Sequence, residues 1–148
     1  MVQVGAWKVA FDCGVSHPAL AEPATWGSFL PAAPPPACDA VAALKTADQR
    51  LTDGRSLAQS LAFGATVYRR SAAPLESRAA VMDKLADEPA RRFEPQGAVA
   101  SKAQDLGYTW GLATAGDGGQ VSYLHVWVRP GGSWKLLYDL ELPMPKKP

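Results

Sequence analysis

Residues 105–139 read DLGYTWGLATAGDGGQVSYLHVWVRPGGSWKLLYD, and their reading decides the fold. Leu106 to Thr114, Val121 to Arg129 and Trp134 to Leu142 are rich in aromatic and β-branched residues, which suit a pleated, half-buried surface. Gly116-Asp117-Gly118-Gly119 and Pro130-Gly131-Gly132 separate them, and glycine-rich punctuation of this kind makes tight reversals. Three strands joined by short turns form an antiparallel meander.

Upstream of the meander the pattern changes period. Asp39 is placed to cap a helix in which Val41, Leu44, Asp48 and Leu51 recur every three to four residues, until Asp53-Gly54 stops it. A second, short helix is expected with Ser56 as its cap, Leu57, Leu61 and Ala62 as its apolar stripe and Gly64 as its end. Ala65 to Arg70 alternates as a strand does. Ala73-Pro74 then opens a third helix with Ala79, Met82 and Leu85 on one face, since proline is tolerated in a first turn. Phe93 to Lys102 is a further strand candidate. Helices first and a run of strands afterwards make an α+β fold, with a strongly curved antiparallel sheet wrapped around N-terminal helices.

The two ends of the chain resemble each other. Gly5-Ala6-Trp7-Lys8-Val9-Ala10-Phe11-Asp12 matches Gly132-Ser133-Trp134-Lys135-Leu136-Leu137-Tyr138-Asp139 in register, with Gly, Trp, Lys and Asp identical. This reads as a repeat, so residues 1–18 are expected to be the last strand of a preceding domain copy. Residues 19–37, rich in Ala and Pro, read as an extended linker, although Trp26, Phe29 and Leu30 within it are expected to dock somewhere. The domain proper is then 38–148.

Composition narrows the function classes. The chain has 148 residues, the length of about one domain, and 15 Lys+Arg against 14 Asp+Glu leave a net charge of +1. Without a basic cluster there is no electrostatic footprint for nucleic acid. No run approaches the roughly 18 apolar residues of a membrane span. Lys8 and Asp12 interrupt the N-terminal apolar stretch, so neither a membrane partner nor a signal peptide is expected. Cys13 and Cys38 are either a disulfide or two thiols, and they lack the neighbours a zinc site needs.

Asp105 to Gly111, Tyr123 to Arg129 and Gly132 to Asp139 resemble the C-terminal half of a SnoaL-like domain of the nuclear transport factor 2-like superfamily, nearest to a bacterial branch of unknown function. The resemblance spans about residues 38 to 145 and is strongest over 105–139. It implies a cone-shaped, cystatin-like α+β fold. The stretch between the first helix and the strand at Tyr68 is shorter than the family pattern. Superfamily members host binders, isomerases, dehydratases and interaction modules on one cone, so the fold alone does not settle function.

Strand alternation sorts the candidate residues. A five-residue loop would set Val128 opposite Trp134, Leu124 opposite Tyr138 and Tyr123 opposite Asp139. One face then carries Tyr123, His125, Trp127, Lys135, Leu137 and Asp139. The other carries Leu124, Val126, Val128, Trp134, Leu136 and Tyr138 and, being uniformly apolar, reads as the buried one. His125, diagonal to Asp139, is the candidate general base, with Asp139 as its orienter and Tyr123 or Tyr108 as donor; a hydrogen-bonded structural histidine is the alternative. Tyr68, Tyr108, Trp110 and Tyr123 are candidates to line a ligand cavity, or else pack a core. No phosphate loop, Ser-His-Asp order or metal spacing is present, so no cofactor or metal is expected. Three functions follow as expectations: binding of a small apolar or carbonyl-containing molecule in the cone, proton transfer by an isomerase or dehydratase using His125 and Asp139, or protein interaction. Apolar residues on both sheet faces point to a homodimer through the sheet, or to a tandem copy covering it.

Overall fold

A computed structural model of the chain describes residues 39–144. The repeat strand, the linker, Cys13 and Cys38 lie outside the described residues.

Asp39 caps the first helix, α1 (Ala40–Gln49), by accepting the backbone N–H groups of Val41 and Ala42, each at 3.1 Å. Ala40, Leu44 and Asp48 form its buried stripe. Helix α2 (Gly54–Ser60) begins earlier than its sequence suggests, because Asp53 and Ser56 form a capping box. Asp53 accepts the Ser56 N–H at 2.7 Å and the Ser56 hydroxyl accepts the Asp53 N–H at 3.0 Å, so Ser56 is the partner of the cap and not the cap. The helix stops at Ser60, and Gly64, expected to end it, sits inside strand β1 (Leu61–Tyr68). Helix α3 (Arg78–Leu85) is capped by Ser77. Ala73-Pro74 lies ahead of it, because Leu75 exchanges both backbone hydrogen bonds with Val67 at 2.9 Å and holds this part of the chain extended.

Strands β2 (Arg91–Ala100), β3 (Leu106–Ala115), β4 (Gln120–Val128) and β5 (Lys135–Pro143) complete a five-stranded sheet in the order β1-β5-β4-β3-β2. The expected α+β class holds, with one departure: β1 runs parallel to β5, so the sheet is mixed. β5 enters between β1 and β4, and the meander in between provides the long crossover that a parallel pair requires. The helices cover one sheet face. There α1 lies against β2 and β3, and Leu44, Leu57, Val81, Trp127 and Leu136 share one core. Gly111 belongs to this design, since a Cβ there would overlap the backbone carbonyl of Glu94 where β2 bulges at Pro95 to Gly97.

The first turn of α2 packs on the last turn of α3 through another glycine. A Cβ on Gly54 would collide with the carbonyl of Leu85, an obstacle made of backbone that no rotamer change removes. Gly54→Ala is therefore expected to cost about 1–3 kcal/mol, the range for overpacking, read as a lowered urea midpoint with an unchanged slope.

The β4–β5 register differs from the one expected. His125 faces Asp139 directly, Tyr123 faces Glu141 and Leu124 faces Leu140, while nearer the turn Val128 faces Lys135 and Trp127 faces Leu136. The connecting loop is one residue longer than the sequence pattern implied, and a bulge between Val126 and Trp127 adds Leu137 as an extra residue on β5. The bulge puts Leu136 and Asp139, an odd number of residues apart, on the same side of the sheet. The expected assignment of faces holds only in part: Leu136 of the apolar set joins the helix-side core, and Leu124 and Val128 are buried on the opposite face. The mixed set with Tyr123, His125, Trp127 and Asp139 lies under the helices. Val126 and Tyr138, from the uniformly apolar set, are only half-buried on the other face.

Candidate functional site

The helix-covered face holds a cluster of polar side chains with almost no exposure. Asp48 comes from α1, Thr109 from β3, Tyr123, His125 and Trp127 from β4, and Asp139 and Glu141 from β5. Asp48, Thr109, His125 and Asp139 are each 0% exposed. A buried polar group costs free energy unless its hydrogen bonds are made, and here nearly all of them are.

Asp48 is the hub. One of its oxygens accepts from the Thr109 hydroxyl at 2.7 Å and faces Nδ1 of His125 at 2.6 Å. The other accepts from the Tyr123 hydroxyl. Thr109 in turn accepts from the Trp127 indole N–H at 3.0 Å. The second ring nitrogen of His125, Nε2, lies 3.1 Å from Asp139 Oδ1. A ring with a carboxylate oxygen against each nitrogen donates from both, so His125 is held as imidazolium. Burial alone pushes the imidazole pKa down, but the hydrogen bonds and charges of Asp139 and Asp48 outweigh it and hold the value at about 9. Burial likewise pushes the Asp139 carboxyl up, and Arg69 together with His125 overrides it and holds the group well below its ordinary range. Burial, reinforced by Asp48, drives the Tyr123 phenol far above its ordinary value.

From Asp139 the chain of contacts continues outward. Arg69, at the end of β1, lies 2.9 Å from Asp139 Oδ2 and 3.5 Å from Glu141, which also pairs with Arg91. Arg91 reaches Glu88 at 2.9 Å. Cations and carboxylates thus alternate from the sealed interior at His125 to Glu88, whose side chain is 26% exposed. The aromatic rings of Phe93, Tyr123 and Trp127 stand around the imidazole with centroids 4.5 to 5.9 Å away.

Of the residues singled out in the sequence, His125, Asp139 and Tyr123 come together. Tyr68, Tyr108 and Trp110 do not join them. Thr109 points at α1, so its neighbours Tyr108 and Trp110 point the other way, and Tyr68 shares their face because Val67 is buried beside it. On that face Tyr108 packs on Trp110 at 5.6 Å and Tyr68 on Tyr138 at 6.4 Å. Asp48, Arg69, Arg91 and Glu141 escaped the sequence reading as members of the cluster. Asp48 alone carried a signal, a carboxylate on an otherwise apolar helix stripe.

The arrangement does not supply the expected general base. A base needs a free lone pair within reach of substrate, and both nitrogens of this buried imidazolium are engaged. Nor do the two carboxylates converge on a point where a cation would sit, since they approach opposite edges of one ring; among the described residues no group of three His, Cys, Asp or Glu side chains is arranged to hold a metal ion. No helix among them is long and apolar enough to cross a membrane.

No known family profile matches the chain, and no curated protein does. Solved structures do. A protein described as a calcium/calmodulin dependent protein kinase II association domain from Xanthomonas campestris is similar with a TM-score of 0.53 and 16% identity, over 83% of this chain and 100% of that one. A domain of unknown function with a cystatin-like fold from Nostoc punctiforme is similar with a TM-score of 0.51 and 12% identity, over 71% of this chain and 73% of that one. At these identities the likeness is one of fold: the chain has the cystatin-like α+β architecture that its C-terminal strands resemble.

Proposed function

With the cystatin-like fold as premise, we propose that this chain is a self-association module in which the sheet face that no helix among the described residues covers joins a second copy, as a homodimer or within a tandem protein. The observation that carries this reading is the contrast between the two faces. The inner face is covered by the helices, and the polar groups within its core are engaged with one another. The outer face presents Tyr68, Tyr108, Trp110, Val126 and Tyr138, all half-buried, bordered by Val99 at 42% and Leu106 at 48% exposure. Contiguous apolar patches of that kind on soluble proteins mark interaction sites, and aromatic residues are enriched in them. The description of the Xanthomonas protein as an association domain supports the same reading.

Proton transfer by His125 and Asp139 has less support, because their geometry fixes a charge instead of offering a base. A small apolar or carbonyl-containing ligand in the cone also has less support, since Tyr68, Tyr108 and Trp110 of its expected lining face outward and the buried Tyr123 hydroxyl is already engaged by Asp48. Sedimentation equilibrium tests the proposal. The parent chain is expected to be dimeric or larger at micromolar concentration, and Tyr108→Glu is expected to lower its mass by removing the sheet-face contact, with far-UV circular dichroism unchanged. A parent chain that stays monomeric at about 100 μM, far above the affinity of specific interfaces of standard size, overturns it.

A further inference from the structure

The two edges of the sheet are built differently. β2, at one edge, carries the Arg92–Glu94 ion pair at 3.0 Å, Pro95 and a bulge, the devices that protect an edge from other chains. β1, at the other edge, reads Leu61-Ala-Phe-Gly-Ala-Thr-Val-Tyr68 without a single charge. Its pairing with β5 jumps from Leu61↔Leu136 to Thr66↔Tyr138, so residues 62–65 bow away from the sheet, with Gly64 at φ 73°. At the crest of the bow Phe63 is 92% exposed. A cleft of about 340 Å³ opens beside it, between this segment and Glu76, Ser77 and Arg78 at the start of α3.

We propose that this edge is a second self-association contact, distinct from the sheet face: two copies meet about a two-fold axis and each inserts Phe63 into the other's cleft. Knob and hole lie side by side on one surface, which is what an isologous contact needs. The cleft has room for the ring, since a cavity of about 150 Å³ accommodates benzene. Charge selects a copy of this chain over an unrelated peptide. Glu76 and Arg78 flank the cleft with opposite signs, so a two-fold sets Glu76 of one copy towards Arg78 of the other. Arg78 is already steadied at the rim by the Leu61 carbonyl, 3.4 Å from its Nη2.

The test uses the full chain carrying Tyr108→Glu, so that association through the sheet face is removed first and the two contacts are read separately. Phe63→Asp in that background is expected to weaken the remaining self-association by about tenfold or more, as loss of a central aromatic anchor does. At 92% exposure the substitution leaves the fold intact. Glu76→Arg and Arg78→Glu, each alone, are expected to weaken it as well, because like charges then meet across the axis. An equimolar mixture of the two is expected to associate again as a heterodimer, which loss of fold or of a contact within one chain would not produce. A mixture no tighter than either variant alone, or a Phe63→Asp chain that associates like its parent, overturns the proposal. So does a Tyr108→Glu chain that is monomeric at every concentration, while leaving the sheet-face reading standing.

Discussion

Asp48→Ala is expected to destabilise the domain by about 3–5 kcal/mol, the cost of removing one partner from a buried ion pair. Three donors converge on that carboxylate, from Thr109, Tyr123 and the Nδ1 edge of His125, and the site has 0% exposure. The loss thus combines two orphaned hydroxyls with an imidazolium held on one side only. Asp48→Asn retains the shape and one acceptor, so it is expected to fall between the parent and the alanine variant. Urea denaturation followed by tryptophan fluorescence measures both. A loss under about 1 kcal/mol, the scale of an ordinary solvated hydrogen bond, would mean that the network contributes little to stability.

Raising the pH is expected to withdraw stability in a defined window. The His125 pKa is raised from 6.5 to about 9 on folding, so the folded state binds the proton more tightly than the unfolded chain. Its contribution is complete below about pH 6.5 and is lost as the pH climbs through about 9, a decline on the order of 3 kcal/mol. The groups that face the ring are Asp48 from α1 and Asp139 from β5, with Arg69 behind Asp139. Asp139 acts in the opposite sense: its depressed pKa contributes stability above about pH 4, which is lost only as the pH falls through its much lower folded value. Urea midpoints measured from pH 6 to pH 10 should decline in the parent chain, and His125→Gln should abolish that decline. A flat profile in the parent would refute the charged-histidine assignment.

Much of the architecture was legible because it follows from local chemistry. β3, β4 and β5 lie within a residue of the runs read from their aromatic and β-branched content, and Asp39 caps α1 as its side chain suggests. The errors arise where a distant element decides. Ser56 looked like a cap until Asp53 completed the box, and Pro74 looked like a first turn until Leu75 was claimed by Val67. His125 and Asp139 were legible as a pair, since both sit on neighbouring strands at matching depth. Arg69, Arg91 and Glu141 were not, because a charged residue near a strand end looks the same in sequence whether it faces water or a buried carboxylate. Asp48 was the exception that alternation could have caught: four residues after Leu44 and three before Leu51, it stands where the helix otherwise buries apolar side chains.

The extra residue at Leu137 has a bearing on how relatives of this chain are recognised. On β5 the apolar anchor Leu136 and the charged Asp139 obey two different alternation frames, joined at one inserted position. A homologue lacking that insertion would carry its carboxylate one place nearer the turn if it kept the same network. An ungapped alignment would then place an apolar residue opposite His125 and hide the correspondence. Searching for the histidine on β4 and allowing a one-residue gap within β5 would recover it, and a carboxylate found opposite that histidine, with or without the gap, separates chains that share the buried ionic core from those that share only the cone.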